Sequence, residues 1–117
     1  MTRSPQETFR DHVRALGSGD LDAIAANFTS DAVFVTPAGV LHGRDGVKHG
    51  IGAVLADLPD AEWHPKSPIF AGDVLFLEWA ATAGAARVED GVDTFVFRDG
   101  LIRAQTVRYT LLTGPTA

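Results

Sequence analysis

Residues 86–112 read ARVEDGVDTFVFRDGLIRAQTVRYTLL, and how this stretch pairs with itself decides the fold. It holds two apolar-alternating runs separated by Arg98-Asp99-Gly100, a spacing that predicts a β-hairpin. Strand side chains alternate between faces, so Asp93 points the same way as Phe95 and Phe97, towards the interior. An ionised carboxylate is costly there unless something compensates it. Val92, Thr94 and Val96 form the opposite, outward stripe, and an apolar stripe on an exposed face predicts contact with a second copy.

Working outward, strands are predicted at Glu62–Phe70, Val74–Ala83, Ala86–Phe97 and Leu101–Leu112, a meander broken by Ala71-Gly72-Asp73, Gly84 and the Arg98–Gly100 turn. The first half is helical. From Glu7, the positions Phe9, His12, Val13 and Leu16 share one helical stripe that Gly17-Ser18-Gly19 ends. Asp20 is an N-cap for a second helix bearing Leu21, Ile24, Ala25 and Phe28. Thr29-Ser30-Asp31 reads as a turn before a short strand, AVFVT, at 32–36. A third helix follows Gly43, and its Gly46, Gly50 and Gly52 imply close packing or room for a ligand. Helices followed by a run of strands indicate an α+β fold with the helices on one face of a curved antiparallel sheet.

The 117 residues are expected to form one domain, 1–117, with a frayed tail at 113–117. Apolar residues make up 45% and charged ones 21%, with no run long enough to span a bilayer and no secretory leader in MTRSPQETFRDHVR, so a cytoplasmic, membrane-free protein is expected. There is no cysteine, which removes thiolate nucleophiles and Cys-ligated zinc. A net charge of −5 without a Lys/Arg run gives no footprint for nucleic acid. A small hydrophobic or weakly polar molecule is the expected partner. No G-x-G-x-x-G, Walker loop or G-x-S-x-G is present, and His12, His42, His49 and His64 lack paired ligand spacing, so no cofactor and no metal are expected.

In order and spacing, GDLDAIAANFTSDAVFVTPAG, LHGRDGV and GVDTFVFRDGLI resemble the nuclear transport factor 2-like superfamily, in its SnoaL-like and ketosteroid isomerase-like branch. The resemblance runs from about Glu7 to Leu112. It implies a cone-shaped sheet around an apolar pocket closed by three helices, and a homodimer through the outer sheet face. Ketosteroid isomerase uses a carboxylate base before a proline, a helix tyrosine and a later neutral acid. Matching through Gly19-Asp20 and Pro37 puts Thr36 at the base, His12 at the tyrosine and Asp93 at the later acid. Only Asp93 is retained. The limonene epoxide hydrolase branch has an Arg and a second Asp where this chain has Gly91 and Val107.

The resemblance also puts His12 beside Asp93. The expected catalytic pair is therefore His12 and Asp93, hydrogen-bonded at the pocket floor, with Phe34, Thr36, Trp63, Leu77, Trp79, Phe95, Gln105 and Tyr109 as substrate-binding residues. Two registers of the last strand stay open. A three-residue loop pairs Asp93 with Gln105 and turns Tyr109 inward; a two-residue Asp99-Gly100 loop pairs Asp93 with Thr106, turns Arg108 inward and sets Ile102 and Ala104 behind Phe97 and Phe95. The activity expected is proton transfer next to a carbonyl, of isomerase or cyclase type. The alternatives are a non-catalytic ligand-binding or dimerisation module, and cofactor-independent hydration or epoxide hydrolysis, which needs Arg108 inward.

Overall fold

The computed structural model describes residues 2–114, so of the tail expected at 113–117 the last three residues lie outside the described residues. The first helix, α1, spans Pro5–Ser18. It starts two residues before the expected Glu7 because Ser4 and Glu7 cap each other: Ser4 Oγ accepts from the Glu7 amide at 3.1 Å, and Glu7 Oε1 accepts from the Ser4 amide at 2.8 Å. Gly19, left-handed at φ 71°, ends it. Asp20 then caps α2, Leu21–Ala25, as expected.

Strand β1 covers Phe28–Thr36, so Phe28 belongs to it and not to the preceding helix, and the predicted turn at Thr29–Asp31 is an irregularity inside the strand. The hairpin strand β2, Gly39–His42, had no sequence signal: it is short, and its side chains alternate neither in polarity nor in burial. Helix α3 is Gly43–Asp57. The single strand expected at 62–70 is two, β3 (Glu62–Pro65) and β4 (Ile69–Ala71). Pro65 and Pro68 cannot donate to a ladder, so the chain leaves the edge between them. Strands β5 (Val74–Ala83), β6 (Ala86–Arg98) and β7 (Leu101–Arg108) complete the sheet.

The sheet runs β2-β1-β7-β6-β5-β3, with β4 also on β5. The α+β cone is as expected, with one difference: β1 lies parallel to β7, which makes the sheet mixed. That pairing joins the helical half to the meander. Among the described residues no helix is long and apolar enough to cross a membrane.

Neither register considered for the last hairpin is realised: the turn is the two-residue one, the inward phase beyond it is that of the three-residue loop, and Asp93 pairs with neither Gln105 nor Thr106. Asp99 and Gly100, at φ 53° and 76°, form a two-residue turn, and Arg98 pairs with Leu101 and Phe97 with Ile102. Arg103 is then an extra residue, a bulge, so Val96 pairs with Ala104 and Asp93 with Val107. Ile102 therefore faces the core before the bulge, and Gln105 and Val107 face it after. Tyr109 follows them and is half-buried, while Arg108 points out, 70% exposed.

Phe28, Phe34, Phe95, Ile24, Leu75 and Ile102 are fully buried between helices and sheet. Each such side chain contributes roughly 1.5–3 kcal/mol of burial. An N-terminal clasp holds α1 against the β6–β7 turn. Arg3 donates to Asp11, Asn27 and the Gly100 carbonyl, each at 2.9 Å, and Thr8 Oγ1 donates to the same carbonyl at 2.8 Å.

Candidate functional site

Asp93 is 8% exposed and projects from β6 into a cavity of about 340 Å³. Trp79, from β5, donates its indole N–H to Oδ1 at 3.0 Å, and Gln105, from β7, donates its amide to Oδ2 at 3.2 Å. The indole can lie there because Trp79 pairs with Gly91, where any Cβ would clash with the ring. Burial raises the Asp93 carboxyl to about 6, and the two hydrogen bonds partly offset that rise.

His12 lines the same cavity from α1, but the expected His12–Asp93 hydrogen bond is replaced by Trp79 and Gln105. Its imidazole is 3% exposed and lies among the rings of Phe9, Phe28 and Phe95, with centroid distances of 6.4, 5.7 and 5.4 Å. That desolvation lowers its pKa to about 4, so His12 is neutral near pH 7. Its Nδ1 and Gln105 Oε1 are buried and have no hydrogen-bond partner among the described residues. Such atoms are uncommon in folded proteins.

Of the expected substrate-binding residues, Phe34, Trp63, Leu77, Trp79, Phe95 and Gln105 line this cavity. Thr36 and Tyr109 do not. Both line a second, outer cavity of about 490 Å³ between α3, the β1–β2 hairpin and the end of the chain. Thr36 Oγ1 accepts from the Ala38 amide at 3.1 Å and serves the hairpin turn. Tyr109 donates to Asp57 Oδ2 at 2.7 Å, and its hydroxyl is pushed above the usual phenol value first by burial, then by that carboxylate. Trp79 and Tyr109 are in ring contact at 5.5 Å, so one aromatic pair borders both cavities.

Three features escaped the sequence reading. Ile51 and Val54 of α3 reach the inner cavity, a consequence of how the helix crosses the sheet. Asp57 closes α3 with no local signal for a tyrosine partner. The Trp79–Asp93 bond had one signal, a glycine inside a strand, which marks close approach by another group.

The SnoaL-like domain family matches residues 9–105. This chain belongs to the SnoaL-like family. SnoaL-like and NTF2-like proteins of known structure share its fold. A SnoaL-like protein of unknown function from Burkholderia thailandensis is 19% identical with a TM-score of 0.71, covering 90% of this chain and 93% of that one. An NTF2-like protein from Cytophaga hutchinsonii is 11% identical with a TM-score of 0.75, covering 94% and 93%. IdmH, a candidate polyketide cyclase from Streptomyces antibioticus, is 21% identical with a TM-score of 0.73, covering 92% of each chain. At these identities the SnoaL-like likeness is one of fold. No curated protein matches the chain in sequence.

Proposed function

We propose that the SnoaL-like chain binds a small hydrophobic carbonyl compound in its inner cavity and transfers a proton next to that carbonyl, with Asp93 as the base. The observation that carries this is a buried carboxylate with a pKa raised to about 6, gripped by two N–H donors, on the wall of an otherwise apolar cavity. A base poised near the working pH removes an acidic C–H proton most effectively. The C–H bond breaks, its proton passes to an Asp93 oxygen, and its electron pair moves onto the carbonyl oxygen as an enolate. Neutral His12 donates a hydrogen bond to that oxygen. Return of the proton to another carbon gives isomerisation; attack of the enolate carbon on a second carbonyl gives cyclisation.

The test is α-proton exchange of simple ketones in deuterated buffer, followed by NMR. Asp93→Asn is expected to abolish catalysed exchange while Thr36→Ala retains it. Equal exchange in wild type and Asp93→Asn would leave the ligand-binding module as the function. Hydration or epoxide opening needs Arg108 inward, and Arg108 is on the outer side of β7.

We also propose a homodimer through the outer sheet face. Ile69, Phe76 and Val74 are 61%, 41% and 39% exposed there, beside the half-buried Val92 and Val96. Sedimentation analysis of Phe76→Lys would show a monomer if this face is the contact, and an unchanged mass if it is not.

A further inference from the structure

The inner cavity and the outer groove have a common wall made by Val54 of α3 and Val107 of β7, which line both. The wall is thin at a third point. Gly50 lines the groove, and a Cβ there would meet the Phe34 ring of the inner cavity at 2.5 Å. Trp79 turns its N–H to Asp93 on one side and its ring to Tyr109 on the other. The polar groups lie on the two sides of this wall: Asp93, His12 and Gln105 inside, and the Tyr109–Asp57 pair with His49 outside. Val40, Leu41 and Leu111 add apolar surface to the outer part.

We infer that the groove is the distal half of one extended site, taking the far end of an elongated ligand whose carbonyl lies at Asp93. This rests on the reading of the inner cavity as the carbonyl site. The ligand class follows from the order of groups: a carbonyl at one end, an apolar body, and a hydroxyl at the other end, which donates to the exposed Asp57 carboxylate. An inner space of about 340 Å³ is at the small end of ligand pockets, and a groove of about 490 Å³ beside it extends the site to a molecule of ordinary ligand size. Passage of the chain requires Val54 and Val107 to part, and Gly46, Gly50 and Gly52 weaken α3, the helix that carries Val54.

Two probes separate the halves: an eight-carbon methyl ketone, and a twelve-carbon methyl ketone with a terminal hydroxyl, each titrated against the fluorescence of Trp63 and Trp79. Ala53 is exposed and lines only the groove, so Ala53→Trp plugs it without touching the inner cavity. Leu111→Trp plugs it from the other wall. The long ketone is expected to bind wild type about tenfold or more tighter than the short one. Either plug removes that advantage and leaves the short ketone unchanged. Equal binding of the long ketone to wild type and both plugged variants would overturn the extended site while leaving the inner one standing. Failure of both ketones to bind wild type would overturn the inner site and this inference with it.

Discussion

Trp79 lies flat over Gly91, its partner on the neighbouring strand, and this is what brings the indole N–H to Asp93 two residues further on. The site acid is therefore held by a contact that depends on a missing side chain.

Gly91→Ala is expected to push the indole off the strand. Overpacking of this kind costs roughly 1–3 kcal/mol, read as a lower urea midpoint. Without the Trp79 bond the Asp93 carboxyl titrates above about 6, measurable by carbon NMR of the labelled carboxyl. A native midpoint with an unmoved titration would show that the glycine is dispensable.

Asp93 and His12 make opposite demands on pH. Asp93 has a folded pKa of about 6 against an ordinary 3.8, so its contribution to stability is full below 3.8 and lost as pH rises through about 6. His12 has a folded pKa of about 4 against 6.5, so its contribution is full above 6.5 and lost as pH falls through about 4. Each swing amounts to roughly 3 kcal/mol at most. Between about pH 4 and 6 they offset one another, and wild-type stability should be nearly flat. Asp93→Asn leaves stability rising with pH across that window, and His12→Phe leaves it falling. Urea midpoints at several pH values check both slopes, and parallel profiles in the two variants would refute the burial argument.

The glycines of α3 differ in what they do. A Cβ at Gly52 meets only Leu21 Cδ1, at 3.6 Å, whereas one at Gly50 strikes Phe34. Gly52→Ala is thus expected to stabilise by about 0.5–1 kcal/mol through helix propensity, and Gly50→Ala to destabilise. Paired thermal melts decide it, and a Gly50→Ala as stable as Gly52→Ala would contradict the packing.

The N-terminal clasp predicts a local effect for Arg3→Ala. Losing the bonds to Asn27 and Gly100 costs about 1 kcal/mol. Hydrogen exchange should quicken first in α1 and at the Ile102 amide, which donates to the Asn27 carbonyl. Uniform loss of protection throughout the sheet would argue against a local clasp.

Strand alternation made Val74–Ala83 legible to the residue, and the Asp20 cap fixed where α2 begins, though not its end before Phe28. The inward positions of Asp93, Phe95 and Trp79 followed from the same alternation. What was hidden is tertiary. Nothing local to β1 or β7 announces their parallel pairing, and the prolines that split Glu62–Phe70 act through an edge whose partner was not known. His12 and Asp93 do reach one cavity. The donors to the carboxylate are strand neighbours, Trp79 and Gln105, and only three-dimensional pairing could show that.

The bulge at Arg103 has a consequence for charge. It acts as a parity change: even-numbered side chains of β7 face inward on one side of it and odd-numbered ones on the other. An unbroken ladder from the same turn would present Thr106 and Arg108 to the interior, and a cation beside Asp93 would pull its pKa down. One residue of slack in a strand thus keeps Arg108 away from the acid, whose carboxyl burial raises to about 6.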